Sequence, residues 1–545
     1  MAAVVHSTMM EYPLTLIPVL ERVGKFFGGV EVVSRLPDKS LHRYTYGDFY
    51  RRARALAEAL QQIGLQPGDR VGTLMWNHYA HLEAYFGIPA AGGVLHTLNL
   101  RLAPGDLAYI VNHAEDRFLI VDEVLLPLYE QIRGQIAVEK VFVVPGSGQP
   151  IPTGYDSYET LLASAQGNFH YPTLHESDPV GMCYTSGTTG RPKGVVYSHR
   201  ALILHMMAEA LPDILGLAQR DVVAPVVPMF HVNAWGMPFA CAMVGAKQVF
   251  PGPHLDAQSL LDLMTREQVT LSAAVPTVWL AVAQALDDQP SKWALNPDLR
   301  LVIGGAATPE SLLRRLERHG ITPYTSWGMT EMTPIGTVSY LKTTLAGSPE
   351  AVQYTYRTRQ GLPSVVVEIR GVNEQGEIAW DGQTMGELQV RGPCIAAAYY
   401  RPAEPMDNWT DDGWFRTGDV VTIDREGYVN IVDRSKDLVK SGGEWISTVA
   451  LENALMGHPA VAEAAVIGVH HARWQERPLA VVVLRAGQRV TAPELLDFIR
   501  PQFARFWLPD AVVFVEALPR TSTGKFLKSA LRAQFRDYVL PVGSS

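Results

Sequence analysis

The sequence is poor in cysteine. Only three cysteines, Cys183, Cys241 and Cys394, occur in 545 residues, and none forms a CxxC pair. This number and spacing argue against a disulfide scaffold and against a structural zinc site. The sequence also lacks a GxSxG motif and a recognisable motif around a nucleophilic cysteine, so we expect no covalent protein nucleophile.

Long apolar runs and an excess of positive charge are also missing. No uninterrupted apolar stretch reaches membrane-spanning length, and the N-terminus lacks the basic-then-apolar order of a secretory signal. The chain has 46 Lys and Arg against 55 Asp and Glu, giving a net charge of −9. This balance argues against a broad surface for nucleic acid or an anionic membrane. We therefore expect a soluble cytoplasmic protein that holds any anionic ligand with a local cluster.

The length and the order of predicted elements indicate more than one domain, because 545 residues exceed what one core usually contains. Apolar residues at helical spacing predict a helix at 45–63, and short apolar runs predict strands at 70–75 and 118–121. This alternation predicts a doubly wound parallel α/β sheet. Short strand-like runs at 365–369, 387–390 and 428–432, separated by Gly, Asp and Asn, then predict an antiparallel β subdomain between residues 361 and 432.

The polar stretch 433–443 marks the predicted domain boundary. It precedes a predicted helix at 447–456, after which α/β alternation resumes on a smaller scale. We therefore expect a large N-terminal domain of residues 1–434. A small, mobile α+β C-terminal domain of residues 435–545 should follow it.

A polar, glycine-rich segment, YTSGTTGRPKG, spans Tyr184 to Gly194 between two apolar runs. Its glycines allow close approach of backbone N–H groups, its hydroxyls donate hydrogen bonds, and Lys193 adds a positive charge. That chemistry suits a polyphosphate, although a plain polar turn can have the same composition. It is not a Walker loop, because no Gly-Lys-Ser/Thr stands at the required spacing.

Other segments combine glycine with residues of catalytic type. In PMFHVNAWG, residues 228–236, His231 follows a predicted strand, where open α/β sheets bind ligands, although a lone His is more often structural. The small residues GGAA at 304–307 leave room for a flat ring or form a tight turn. Thr308 and Pro309 then predict a helix N-cap followed by proline in the first turn. The remaining strings are SWGMTEMTP at 326–334, KSGGEWI at 440–446 and PRTSTGKFLK at 519–528.

These strings, in this order, resemble the adenylate-forming superfamily of acyl-CoA synthetases, luciferases and peptide-synthetase adenylation domains. The resemblance covers about residues 12–540 and is greatest to bacterial long-chain fatty acyl-CoA synthetases. It implies that one loop binds the β- and γ-phosphates of ATP. The loop residues are Thr185, Ser186, Gly187, Thr188, Thr189 and Lys193.

The resemblance also implies an ATP and metal site. Trp327 would stack on adenine, where the family more often has Tyr, and Thr330 would contact the α-phosphate and the substrate carboxylate. Glu331 would bind Mg²⁺ together with Thr185. The other ATP-site residues would be Gly305, Ala306, Gly328 and Met329, with Asp419 and Arg434 on the ribose.

Two alternating faces of the small domain are implied as well. Lys525 would catalyse adenylation, and rotation about Lys436 would then bring Gly442, Gly443 and Trp445 to the pantetheine path of coenzyme A. In the acyl site, His231 would border the reacting carboxylate as a catalytic residue, and Trp235 would gate the acyl tunnel. No carboxylate occurs among Val232, Asn233 and Ala234, which disfavours an amino-acid substrate.

The expected function is therefore an ATP-dependent ligase that joins a medium- to long-chain fatty acid to coenzyme A through an acyl-adenylate. The alternatives are a ligase for a short thioether acid (3-methylmercaptopropionate) or an aromatic acid, and an acyl-AMP ligase that loads a carrier protein. A luciferase-like oxidation and a non-enzymatic nucleotide-binding regulator are more distant readings. The resemblance further implies a homodimer and a role in fatty acid metabolism.

Overall fold

The computed structural model of the chain describes residues 7–146, 151–185, 191–404, 406–442, 444–521 and 525–540. Five residues predicted to bind ligands lie outside these ranges, namely Ser186, Gly187, Thr188, Thr189 and Gly443. Within the described ranges, no helix is long and apolar enough to cross a membrane.

The first part of the chain alternates strands with helices. Its elements are α1 (Ile17–Phe26), β1 (Glu31–Arg35), β2 (Leu41–Thr45), α2 (Tyr46–Gln62), β3 (Arg70–Leu74), α3 (Tyr79–Ala90), β4 (Val94–Thr97), α4 (Pro104–Ala114), β5 (Asp116–Asp122), α5 (Leu126–Ile132), β6 (Lys140–Val144), β7 (Asp156–Ser157), α6 (Tyr158–Ala163), β8 (Pro179–Tyr184), β9 (Gly194–Ser198) and α7 (His199–Ala210).

The alternation continues through the middle of the chain. The elements are β10 (Val222–Pro225), α8 (Val232–Trp235), α9 (Met237–Val244), β11 (Lys247–Phe250), α10 (Ala257–Glu267), β12 (Leu271–Ala274), α11 (Pro276–Asp288), β13 (Arg300–Ile303), α12 (Glu310–Arg318), β14 (Thr322–Gly328), β15 (Ile335–Val338), α13 (Glu350–Arg357) and β16 (Leu362–Pro363).

Strands then dominate before helices return. The elements are β17 (Glu368–Asn373), β18 (Gly376–Glu377), β19 (Gly386–Arg391), β20 (Phe415–Ile423), β21 (Val429–Arg434), β22 (Val439–Ser441), β23 (Glu444–Ile446), α14 (Thr448–Met456), β24 (Val461–His471), β25 (Gln475–Leu484), α15 (Ala492–Ile499), β26 (Ala511–Phe514) and α16 (Lys528–Gln534). Short 3-10 helices occupy Glu123–Leu125, Arg133–Gln135, Thr330–Met332, Arg500–Gln502 and Arg505–Trp507.

Two large sheets form the bulk of the molecule. One has the order β16-β15-β14-β13-β12-β10-β11-β1-β2 and is parallel from β14 to β1. The other has the order β7-β6-β5-β3-β4-β8-β9 and is parallel except for β8 with β9. Parallel strands need helical crossovers, which cover the sheets and bury strands that are apolar on both faces.

Two smaller sheets follow. The antiparallel sheet β18-β17-β19-β20-β21 forms the β subdomain, and β23-β22-β25-β24, with β26 beside β25, forms the C-terminal sheet. The predicted fold class is therefore confirmed: α/β with doubly wound sheets, a small β subdomain and a small α+β C-terminal part.

Local predictions differ from the structure at two places. Thr308 was expected to cap α12, but the helix begins at Glu310, its N-cap is Pro309, and Thr308 is buried without a described partner for its hydroxyl. A strand was expected at 365–369, whereas β17 begins at Glu368 and Val365 lies in an exposed turn. Three valines, Val365 to Val367, favoured a strand there, but no described strand pairs with them, so propensity alone misplaced the boundary.

Candidate active site

A cavity of about 520 Å³ lies where carboxyl ends of strands in both large sheets meet the β subdomain and the C-terminal part. Ligands of open α/β sheets bind at this edge. The cavity brings together fifteen residues that the sequence predicted. They are Thr185, Lys193, His231, Trp235, Gly305, Ala306, Trp327, Gly328, Met329, Thr330, Glu331, Asp419, Arg434, Lys436 and Lys525.

Two predicted residues with described positions lie outside the cavity. Trp445 is 39% exposed, and the Lys440 ammonium lies 4.4 Å from the centre of the Trp445 ring. Gly442 has φ +59°, and a Cβ on it would lie 2.6 Å from the ring of Trp474. These residues, which were assigned to the coenzyme A path, therefore lie on another face of the C-terminal part.

The adenine and ribose candidates form a connected chain. The Trp327 indole N–H donates a hydrogen bond to Oδ2 of Asp419 at 2.9 Å, and Nε of Arg434 lies 3.1 Å from Oδ1 of the same carboxylate. Asp419 and Arg434 are register partners in β20 and β21, so sheet pairing places them side by side. The Asp419 carboxylate is buried and raises the pKa of Arg434 further. A bound nucleoside would therefore meet an oriented indole and a fixed carboxylate.

Glu331 is held by a residue that the sequence did not single out. The Tyr399 hydroxyl donates a hydrogen bond to Oε1 of Glu331 at 2.6 Å, and Lys193 Nζ lies 4.8 Å from the Tyr399 ring centre. Burial and the Glu331 charge raise the pKa of Tyr399, which keeps this donor protonated. Tyr197 donates to the Thr330 carbonyl at 2.7 Å. Tyrosines from distant segments thus fix the Thr330–Glu331 turn.

One carboxylate and one hydroxyl of the cavity, those of Glu331 and Thr185, are donors of the kind that Mg²⁺ prefers. Among the described residues, no group of three or more His, Cys, Asp or Glu could hold a metal by itself. Glu331 is a buried carboxylate with one oxygen bound by Tyr399. One carboxylate with a hydroxyl such as that of Thr185 fits Mg²⁺, which usually takes its other ligands from phosphate oxygens and water.

Lys525 enters the cavity from the C-terminal part. A Cβ added to Gly305 would lie 3.4 Å from Lys525 Cε, so the aliphatic part of this side chain packs beside that glycine. Burial and, after it, the positive charge of Arg434 lower the pKa of Lys525 to about 8, although the charges of Asp419 and Glu331 oppose the shift. Its ammonium therefore stands among the groups predicted to hold the nucleotide.

His231 carries no charge near neutral pH. Burial lowers its pKa to about 3, and the positive charges of Lys525 and Arg101 add to the effect. A neutral imidazole can donate or accept a hydrogen bond in this cavity, but it cannot neutralise a carboxylate.

Trp235 is placed by an unusual backbone turn. The residues of α8 have φ values of 45°, 54°, 50° and 58°, so all four non-glycine residues are left-handed. Each such residue costs about 1–2 kcal/mol. A Cβ at Gly304 would lie 3.0 Å from Trp235 Cη2 and 2.6 Å from Ser326 Oγ, so the indole occupies the space that glycine leaves. Strain of this kind is commonly stored at functional sites.

Several other residues of the cavity were not predicted from the sequence. Their types are ordinary, and nothing local marks Tyr399, which lies 68 residues from its partner Glu331. PRTSTGKFLK pointed to Lys525 but not to Lys528 in the same string. The residues of the cavity wall that were not predicted include Arg191, Ser326, Gln360, Tyr399, Asn408, Thr417, Ile431, Asp433, Glu452, Lys528 and Arg532.

This chain belongs to the AMP-binding enzyme family. The model of that family matches residues 21–400, and the model of the AMP-binding enzyme C-terminal domain matches residues 450–525. The adenylate-forming resemblance stated from the motifs is thereby confirmed.

Two known relatives and one solved structure are similar to this chain over nearly its full length. The chain is 50% identical to a long-chain-fatty-acid–CoA ligase of Thermus thermophilus, over 98% of this chain and 97% of the relative. It is 44% identical to a 3-methylmercaptopropionyl-CoA ligase of Ruegeria lacuscaerulensis, over 97% of this chain and 98% of the relative. Its structure resembles that of an anthranilate CoA ligase in complex with anthranoyl-AMP, with a TM-score of 0.85, 27% identity, and coverage of 96% and 98%.

Proposed function

We propose that this protein is an ATP-dependent ligase that joins medium- to long-chain fatty acids to coenzyme A, releasing AMP and pyrophosphate. The observation that carries the proposal is the convergence of Lys525, Glu331 and Asp419 on one cavity. The expected class, an AMP-forming acid–thiol ligase, is confirmed by the family and by the full-length relatives.

In the first step, a carboxylate oxygen of the acid attacks the α-phosphorus of ATP. The new O–P bond forms as the bond to pyrophosphate breaks, and negative charge accumulates on the leaving phosphates. Lys193 and Lys525 stabilise that charge, while Trp327, Asp419 and Arg434 hold the nucleoside. Mg²⁺, held by Glu331 and Thr185, would supply charge neutralisation at the phosphate oxygens.

In the second step, the coenzyme A thiol attacks the acyl carbonyl of the adenylate, and AMP leaves. We propose that residues 435–545 rotate about Lys436, which withdraws Lys525 and brings Gly443 and Trp445 to the site. This motion accounts for the position of Trp445 away from the cavity and its 39% exposure.

A short thioether acid is the second candidate substrate. It is favoured by the 44% identity to the Ruegeria lacuscaerulensis ligase and by Trp235, which can close a pocket as well as gate a tunnel. Pyrophosphate release should be measured across acids of two to sixteen carbons, 3-methylmercaptopropionate and benzoate, with thioester detection. Pyrophosphate release without acyl-CoA would instead favour loading of a carrier protein.

Several finer properties are part of the same proposal. We infer a requirement for Mg²⁺, a cytoplasmic homodimer and a role in fatty acid metabolism. Chelation of divalent ions should abolish adenylation, and light scattering should give the mass of two chains. A monomer at working concentrations would contradict the dimer without affecting the proposed reaction.

The pH profile of adenylation should report Lys525. Its pKa of about 8 means that the ammonium is present below pH 8 and is lost as pH rises through that value. Because the charged form stabilises the leaving phosphates, kcat/KM for ATP in pyrophosphate exchange should fall about tenfold per pH unit above 8. Lys525→Arg, which stays charged, should lower the rate but remove this descending limb. An unchanged limb in that variant would contradict the assignment.

Trp445→Ala should impair thioester formation and leave adenylation nearly unchanged. Because Trp445 lies outside the cavity, pyrophosphate exchange should stay within about twofold of wild type, while thioester formation from supplied acyl-AMP falls about tenfold or more. Trp380→Ala is a matched control, since Trp380 is an exposed indole in the β subdomain, at 47% exposure. Equal loss of both steps in Trp445→Ala would place this residue in the adenylation site.

A further inference from the structure

A buried polar cluster joins the C-terminal part to the end of β21. It consists of Asp433, Thr448, Glu452 and Lys528, which we call the hinge cluster. Lys528 Nζ contacts Oε1 of Glu452 at 2.7 Å and donates a hydrogen bond to Thr448 Oγ1 at 2.5 Å. Thr448 and Asp433 are at most 1% exposed, and the Lys528 side chain is 11% exposed.

The cluster crosses the proposed hinge at Lys436. Asp433 precedes the hinge, whereas Thr448 follows it at the start of α14. Thr448 donates to Oδ2 of Asp433 twice, from its backbone N–H at 2.7 Å and from its hydroxyl at 2.5 Å. The other oxygen of Asp433 accepts the backbone N–H of Arg434 at 2.8 Å. One carboxylate therefore ties a predicted ribose residue to the C-terminal part.

Lys528 lies at the first position of α16, three residues after Lys525. The contacts of Lys528 with Glu452 and Thr448 therefore fix the start of this helix and restrict the positions that Lys525 can adopt. Burial would lower the pKa of Lys528, but the Glu452 and Asp433 carboxylates outweigh burial and raise it. Lys528 is therefore a charged anchor that is held by hydrogen bonds and an ion pair. Burial raises the pKa of its partner Glu452 to about 7.

We propose that Lys528 and Thr448 are positioning residues that hold Lys525 in the nucleotide cavity during adenylation. They act through Asp433, whose carboxylate binds across the hinge. The proposal rests on the proposed function, because it assigns the cluster to the first of the two steps. Rotation about Lys436 separates residues before the hinge from residues after it, so the contacts of Thr448 with Asp433 belong to the adenylation arrangement.

Lys528→Met and Thr448→Val test the proposal, since both keep side-chain size and remove the polar contact. With decanoate, pyrophosphate exchange should fall about tenfold or more in each, because small displacements of a catalytic group are costly. Thioester formation from supplied decanoyl-AMP and coenzyme A should stay within about twofold of wild type. Lys528→Arg should restore much of the exchange rate.

The double variant Lys525→Ala/Lys528→Met asks whether Lys528 acts through Lys525. Its exchange rate should equal that of Lys525→Ala within about twofold, because a positioning residue has nothing left to position. Lys140→Met is the matched control, since Lys140 is exposed at the start of β6. Amide hydrogen exchange of α16 should accelerate in Lys528→Met and not in this control.

Three results would overturn the positioning role. They are unchanged pyrophosphate exchange in both folded variants, an equal fall of both steps, and multiplicative losses in the double variant. If wild type forms neither product with any acid, the proposed function fails instead. The hydrogen exchange of α16 then still shows whether Lys528 fixes the start of this helix, because it needs no turnover.

Discussion

Lys525→Ala should reduce acid-dependent pyrophosphate exchange by about 10²-fold or more. Removing one preorganised donor from a transition state in which charge develops typically has an effect of this size. The variant should still convert supplied acyl-AMP and coenzyme A to the thioester, because Lys525 is withdrawn in the proposed second step. Both rates should be measured on the same preparation, with the acyl-AMP made chemically.

A parallel loss of both steps would contradict the assignment of Lys525 to adenylation. Thermal unfolding then separates a catalytic effect from misfolding. Lys140→Met serves again as a control for removal of a lysine charge, since Lys140 lies exposed in β6. It should change neither rate.

Across straight-chain acids, kcat/KM should rise with chain length by about three- to fourfold per carbon and then level off or fall. Each buried methylene is worth about 0.8 kcal/mol, which gives this factor. The segment around Trp235 is apolar: Val232 and Trp235 line the cavity, whereas Met229, Phe230, Met237 and Phe239 are almost fully buried behind it and do not line it. Over four carbons the gain would be on the order of 10²-fold.

Decanedioate is a matched control for decanoate, because it has the same length and a second carboxylate. It should be a poorer substrate, since residues 228–239 carry no charged side chain to receive the second carboxylate, although the Arg101 guanidinium lies 5.9 Å from the centre of the Phe230 ring. A panel that peaks at two to four carbons and then declines would contradict the long-chain proposal. It would favour the short thioether acid instead.

Trp235→Ala should distinguish a gate from a pocket floor. We expect a gate, in which ATP promotes acid binding to wild type and the variant binds decanoate equally well without ATP. The preferred chain length should then stay nearly unchanged. A shift of preference to longer acids, with the ATP dependence intact, would identify the indole as the floor.

The sequence predicted a helix well where apolar residues recur along one face and a capping residue marks its start. Helix α2 was expected at 45–63 and spans Tyr46–Gln62, because its apolar residues recur at helical spacing and Thr45 caps it with Asp48 in a capping box. Boundaries near residues 308 and 365 were wrong, because local propensity cannot show where hydrogen-bond partners lie.

The family and most candidate site residues followed from contiguous strings. Each string carries several residues that must be neighbours in the chain, such as Thr330 and Glu331 on one turn, so their order is visible without a fold. Trp327 is predicted to stack on adenine. The structure adds that its N–H is held by Asp419, 92 residues away.

By itself, then, the sequence determined the family, the alternation of strands and helices, and the residue types available for nucleotide chemistry. Those properties depend on local order and hydrophobic spacing. Only the tertiary structure decided that Tyr399 holds Glu331, that Lys525 lies beside Gly305 while Trp445 lies outside the cavity, and that Asp433 binds Thr448 across the proposed hinge. These contacts join segments far apart in the chain, and their geometry depends on how separate sheets pack.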